Sequence, residues 1–500
     1  MFTDFLQRRG FWLYIAVCVA VSLVFRMQPI TPDVSWLIAV SERVLVGDVA
    51  YVDFTETNPP ISAFLYMPGV VLASITPMSS ELAVYGLTYL GYTIALFTTS
   101  RILPAQFKDI GSSNWVIIAP AALGLFVLSF DAFAQRETIA AAFALPIVAV
   151  FIRYLEDGHW APAHWRATAI ILAGLSIAIK FPLFVLPGLT VAAYIVAVTR
   201  QIRILYSSGL ILAATLGTVL TAASLAVFPE YLETTALLMR DLYVPVREPL
   251  GYALSRSSII GAAGAILVTT IMLLAFRPSK IAIMFLLIAV SYFVVVFIQG
   301  KYFWYHAAPA CIFGLIAANV MITKRLRESS VGKPYWRNLN VPIYAIIALF
   351  ITTQMFRGFD DYIRPIESMD WAETLDQPTT IAITPFIGMS FPLARDINAK
   401  WIDQYPGQWA MLYARIRLKE DDLNHETRAR IHAFYESERV RLQTLIKQQQ
   451  PDIIIQSLTP SSEWLNKEIL VGASDLLSRH QIIYEDDRYR IWHRRDVRSQ

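Results

Sequence analysis

The sequence predicts a polytopic α-helical membrane protein of about 11 spans that ends in one water-facing, mixed α/β domain. Apolar bulk, uneven charge and apolar runs of spanning length carry this prediction. Of 500 residues, 56% are hydrophobic and 16% charged, with a mean hydropathy of +0.48. Soluble domains run at about 25% charged. The stretch from Arg357 to Gln500 holds 41 charged residues, and the 356 residues before it hold 40, strung between apolar segments. This division separates a membrane region, 1–356, from a terminal domain, 357–500. A soluble secreted protein and a disordered chain are excluded, and a net charge of +3 is no footprint for a nucleic-acid partner. Cys18 and Cys311 both lie in apolar segments and read as small packing residues rather than a disulfide.

A spanning helix needs roughly 20 apolar residues. The spans read as Phe11–Arg26, Leu82–Ser100, Asn114–Phe130, Thr138–Tyr154, Ile204–Phe228, Ile259–Phe276, Ile281–Ile298, Phe303–Ile322 and Val341–Phe356. Arg166 to Thr199 is too long for one helix and is interrupted by Lys180 and Pro182, so it reads as two short helices meeting at Lys180. The first span lacks a small-residue cleavage site and is read as retained rather than as a signal peptide.

Ile61–Thr76 is short, follows Pro59–Pro60 and contains Pro68. Charge parity decides its course. If it dips into the outer leaflet without crossing, cytoplasmic loops hold 15 Lys and Arg against 8 on the other face. The reverse arrangement violates the positive-inside rule. The terminal domain is therefore expected outside the cytoplasm, in a protein of the bacterial inner (cytoplasmic) membrane.

That domain reads as strands at Thr379–Thr384 and Asp452–Gln456, an amphipathic helix over Glu420–Gln449, and a terminal hairpin of Gln481–Tyr484 with Tyr489–His493. Its histidines are too scattered for metal-ligand spacing, and no nucleophile motif or phosphate loop is present. It is expected to support an acceptor site or to fold over the membrane part.

On the outer face, ionisable residues gather in five connections. The first loop, 28–60, is read as carrying interfacial helices and holds Asp33, Glu42, Arg43, Asp48, Asp53 and Glu56. The second holds Asp131, Arg136 and Glu137, and the third Lys180. The fourth, Pro229–Ser258, contains three arginines, and the fifth runs Lys301-Tyr302-Phe303-Trp304-Tyr305-His306. Charge at membrane depth is costly and faces a protein interior or a water-filled cavity. The pattern therefore predicts a cleft with carboxylates beside cations. Each residue also has a plainer role. Asp33 could cap a helix beginning near Val34, and Lys180 could snorkel to the interface. Arg136 and Glu137 could pair with each other, and Tyr302, Trp304 and Tyr305 fit an aromatic belt.

Pro32-Asp33, the run Asp53-Phe-Thr-Glu56-Thr-Asn-Pro59-Pro60-Ile-Ser-Ala-Phe-Leu-Tyr66, Asp131 with Arg136, and Ala178-Ile-Lys180-Phe-Pro182 stand in order along the chain. Taken together they resemble the GT-C superfamily, the membrane glycosyltransferases that use polyprenyl-phosphate sugars, of the aminoarabinose-transferase and protein-mannosyltransferase type. The chain departs from those patterns at two places. It has Asp33-Val34 where the mannosyltransferases carry Asp-Glu, and Asn58 where the aminoarabinose transferases carry Lys before the Pro-Pro. The sugar and any metal are therefore not carried over.

The resemblance implies transfer of a sugar from a polyprenyl-phosphate donor to a glycan, lipid or protein acceptor. The residue types fit that chemistry. An acceptor hydroxyl must lose its proton as it attacks the anomeric carbon, and Asp33 is the expected base. The departing phosphate gains charge, so the expected donor-binding set is Lys180, Arg136, Lys301 and His306 with Tyr302 and Tyr305. Asp53, Glu56, Asp131 and Glu137 are the supporting carboxylates. One carboxylate base with a phosphate leaving group predicts inversion. Asp33, Asp53, Glu56 and Asp131 could hold a divalent cation through oxygen ligands, whereas a phosphate site already lined by cations needs none. Two other readings stay open. A polysaccharide ligase or polymerase would centre on Arg and His in a large outer loop, but the fourth loop has no His. A lipid-linked glycan transporter would show internal repeats, and none is visible.

Overall fold

The computed structural model describes residues 2–25, 31–108, 110, 112–129, 132–329, 369–372, 375–470 and 477–495. Among these, six helices are long and apolar enough to cross a membrane: Ser80–Ile102, Arg136–Asp157, Leu210–Val227, Ser257–Ala275, Lys280–Gln299 and Trp304–Glu328. Shorter apolar helices run over Gly10–Val24, Pro60–Ser74, Trp115–Leu128, Ala163–Ile179 and Val185–Thr199. Ten of the expected spans coincide with these helices. The eleventh, Val341–Phe356, lies outside the described residues.

The chain divides into two compact units. The first is 1–28, 59–227 and 248–360, and the second is 29–58, 228–247 and 361–500. The second unit thus includes two segments that precede the 356/357 boundary read from the sequence. Both are rich in charged and polar residues, unlike the apolar helices that flank them.

In the first unit, the break expected at Lys180 is present. The helix Ala163–Ile179 ends there, residues 181–184 turn, and Val185–Thr199 follows. Small residues let neighbouring helices approach. A Cβ on Gly217 would lie 2.8 Å from the Ile177 side chain and 2.9 Å from the Gly174 carbonyl, so Leu210–Val227 lies directly against Ala163–Ile179. The segment Pro60–Ser74 packs on the first turns of Ser80–Ile102, where Gly69 meets Val84 with no room for a side chain. The Trp115–Leu128 helix contains Pro120 and finishes in a π-helical turn, Leu123–Leu128.

In the second unit, β1 (Thr379–Ile383), β2 (Lys400–Trp401), β3 (Ile453–Ser457), β4 (His480–Glu485) and β5 (Tyr489–Arg494) form a five-stranded sheet in the order β2-β1-β3-β5-β4. β1 is parallel to β2 and to β3. β4 and β5 form the expected antiparallel hairpin. Asp486 closes its turn by accepting the Arg488 and Tyr489 amides at 2.7 and 2.5 Å. The amphipathic helix spans His425–Gln449, five residues shorter at its start than expected. Asn424 caps it, accepting the Thr427 amide at 2.9 Å. Ile431, Tyr435, Leu442 and Ile446 of this helix share one core with Ile381, Ile383 and Ile454 of the sheet.

Candidate functional site

The candidate residues fall into two groups, one in each unit. In the first unit, the helix Arg136–Asp157 places an arginine and an acid in its opening turn. The acid is favoured there by the helix dipole. The turn before it holds Ala134 at φ 60, a left-handed conformation costly for a residue with a Cβ. Two hydrogen bonds keep that turn in place. Tyr66 Oη donates to the Ala134 carbonyl at 2.7 Å, and Thr138 Oγ1 donates to the Ala132 carbonyl at 2.8 Å. Lys180 approaches from the end of the neighbouring helix. Ser176, one turn before it, donates to the Ala140 carbonyl at 2.7 Å, one turn after Arg136. That bond sets the register between the two helices and brings Lys180 level with Glu137.

Glu137 is completely buried, and its Oε1 is ion-paired with the Lys180 ammonium. His306 Nε2 lies 3.6 Å from the same oxygen. Arg136, also buried, is close enough for its charge to act on Glu137. Among the described residues, the cluster therefore brings together two basic side chains and one carboxylate, with a histidine beside them. Among the described residues, Glu137 Oε2 and His306 Nδ1 have no hydrogen-bond partner although both are buried. Lys180 points inward to a carboxylate, so it does not snorkel. Glu137 pairs with Lys180 rather than directly with its neighbour Arg136 as its main contact.

The fifth connection supplies His306 from the short turn Trp304–Ala307, and the Tyr305 ring stands edge-on to the imidazole at 4.7 Å. Lys301 is buried, and Tyr302 adopts φ 53 and packs on Phe297 at 5.6 Å. A small apolar crevice of about 10 Å³ lies beside this turn, lined by Gly124, Leu128, Ser129, Ala308, Cys311, Ile312 and Leu315. Asp131 lies outside the described residues.

In the second unit, the helix Pro32–Leu45 begins at Pro32 with Thr31 as its N-cap residue. Asp33 is thus not the cap. It sits half-buried in the first turn, where its charge complements the helix dipole. Glu56 is buried and committed. It accepts Trp36 Nε1 at 2.8 Å and the Asn58 amide at 2.9 Å, together with the Asn58 side chain. Asp53 accepts the Val49 amide at 2.6 Å, and Asp48 pairs with Arg43 at 2.5 Å. The Tyr231 phenol is pushed up to about 12 by burial and by the Glu56 carboxylate. Among the described residues, no group of three His, Cys, Asp or Glu could hold a metal ion. Asp33, Asp53 and Glu56 are therefore not a ligand set by themselves.

The residues that hold these groups were not legible in the sequence. Ser176 and Trp36 carry no motif, Asn58 and Tyr66 stand in the first-loop run without any sign of these bonds, and only tertiary partners reveal what the four hold.

No family model matches the sequence, and no curated protein matches it. The fold, however, matches solved structures. The crystal structure of ArnT from Cupriavidus metallidurans bound to undecaprenyl phosphate superimposes with a TM-score of 0.59 at 15% identity. That match covers 96% of this chain and 97% of that one. The apo structure of the same ArnT gives 0.56 at 16% identity, covering 97% and 98%. The chain therefore shares the fold of ArnT over nearly its whole length.

Proposed function

We propose that this protein is an integral membrane glycosyltransferase that moves a sugar from a polyprenyl-phosphate donor to an acceptor at the extracytoplasmic face, with inversion. The observation that carries this reading is the buried cluster in which Lys180 and His306 converge on Glu137, with Arg136 beside it. Ionisable groups at membrane depth mark sites rather than packing. Undecaprenyl phosphate, which the similar ArnT structure holds, is an anion on an apolar tail, and basic side chains set among apolar helices suit such an anion.

Asp33 takes the proton of the acceptor hydroxyl as its oxygen attacks the anomeric carbon. The bond from that carbon to the phosphate oxygen breaks, and its electron pair leaves with polyprenyl phosphate. Lys180 and Arg136, with Lys301 and His306, stabilise the charge that grows on the leaving phosphate. Tyr302 and Tyr305 line that side, and Asp53, Glu56, Asp131 and Glu137 support it. Asp33 follows the first apolar run by only a few residues in sequence, which suits a base that works where lipid headgroup and acceptor meet.

The test uses the purified protein in nanodiscs with undecaprenyl phosphate as probe. The parent is expected to bind it, and Lys180→Ala to lose at least tenfold in affinity while remaining folded. Lys180→Arg recovers part of the loss, since the two cations differ in geometry. Binding by Lys180→Ala equal to the parent overturns the phosphate assignment. Asp33→Asn is expected to bind donor normally and to lose about 10²–10⁴ in transfer rate. Parental turnover in that variant moves the base elsewhere.

A further inference from the structure

We infer that the carboxyl-terminal α/β domain is a positioning device for the helix Pro32–Leu45, and that Arg395 and the Asp403–Arg441 pair are its positioning residues. This rests on the reading of Asp33 as the base. The three segments involved all belong to one compact unit.

The grip is made at three places along the helix. At its carboxyl end, Arg395 donates to both oxygens of Glu42, at 2.6 and 3.0 Å. A two-point arginine–carboxylate contact fixes direction as well as distance. One residue on, Arg43 Nη1 donates to the Asp403 carbonyl at 2.9 Å. Nearer the amino end, the buried Trp36 ring stands edge-on to Phe391 at 5.3 Å while its Nε1 is held by Glu56. Trp36 lies three residues after Asp33, on the same helix face. The loop that follows the helix is gripped as well. The Thr55 amide donates to the Gln404 carbonyl at 2.8 Å, and Gln404 Nε2 donates to the Val52 carbonyl at 3.2 Å.

Residues 403–404 can serve as this anchor because they are locked from inside. The Asp403 carboxylate is completely buried and accepts Arg441 at 2.8 Å, Gln408 Nε2 at 2.6 Å and the Gln404 amide at 2.7 Å. Arg441 is itself held by Glu438 at 2.8 Å and lies over the Tyr405 ring. Breaking such a buried pair costs more than the pair adds, so the anchor resists rotation. The domain contributes no reacting group by this account. It keeps a carboxylate on a short helix from wandering, where a shift of about 1 Å can cost 10²-fold in rate.

The test is Arg395→Glu against the swap Glu42→Arg with Arg395→Glu, in full-length protein. Arg395→Glu is expected to lower kcat about 10- to 100-fold with the donor KM unchanged, and the swap to recover most of it. A spin label at Asp33→Cys, with Cys18 and Cys311 replaced by Ser, is expected to gain mobility in Arg395→Glu and to lose it again in the swap. Unchanged label mobility in Arg395→Glu overturns the inference. A swap as mobile and as slow as the single variant overturns it too. The label reads position without activity, so failure of Asp33 as base, seen as a fully active Asp33→Asn, is told apart from failure of the clamp.

Discussion

Asn319 donates its side-chain amide to the backbone carbonyl of Val116 at 2.6 Å. Val116 is four residues before Pro120, whose ring removes the amide that would otherwise reach that carbonyl. In a membrane helix such a carbonyl has no water to turn to, and a neighbouring helix must supply the donor. A buried asparagine in an apolar helix thus has a structural purpose, and it needs no place in the chemistry.

Asn319→Leu is expected to destabilise the protein by about 1 kcal/mol, the usual scale for a hydrogen bond between membrane helices. In a Pro120→Ala background the carbonyl regains a backbone donor, so the same substitution should cost less. Unfolding of the four proteins in mixed micelles gives the coupling directly. Equal costs in both backgrounds would show that the two residues act independently.

The Glu137–Lys180 pair is wholly inside the first unit, and removing one member leaves the other buried. Lys180→Met is expected to cost about 3–5 kcal/mol of stability. Combining it with Glu137→Gln should return part of that loss, because no carboxylate is then left facing an apolar side chain. Thermal unfolding of both variants checks this, and a double variant less stable than Lys180→Met contradicts it.

Membrane sidedness underlies the proposed reaction. Ser461 is exposed, next to the helix Glu463–Leu470. With Cys18 and Cys311 replaced by Ser, Ser461→Cys should react with an impermeant thiol reagent added to spheroplasts. Labelling only after the membrane is opened would put this domain in the cytoplasm.

Glu438 gives the second unit a pH signature. Burial raises its carboxyl above the usual range, and the Arg441 charge only partly opposes this. A carboxyl raised in the folded state binds its proton more tightly there than in the unfolded chain. Its contribution to stability is therefore favourable at low pH and declines as pH rises from about 4.3, the unfolded value, through the folded one. Glu438→Gln removes that slope. The melting temperature of Glu438→Gln minus that of the parent should increase with pH across this window and then level off. A flat difference would mean that Glu438 ionises normally.

Much of the architecture was written in local chemistry. Apolar runs of spanning length, the Lys180–Pro182 interruption and the terminal hairpin all act through neighbours a few residues away, so a linear reading finds them. The same holds for the presence of acids and cations at helix ends, since burying a charge in an apolar run is costly whatever the fold. Partner choice is a different matter. That Lys180 meets Glu137 depends on the register which Ser176 sets between two helices. That residues 31–58 pack on the carboxyl-terminal domain depends on Arg395, Asp403 and Gln404, more than 300 residues away in sequence. Asn319 and Val116 lie 203 positions apart. Hydrogen bonds and ion pairs act over a few ångströms of space and carry no signature of sequence distance, so these pairings were decided only when the helices packed.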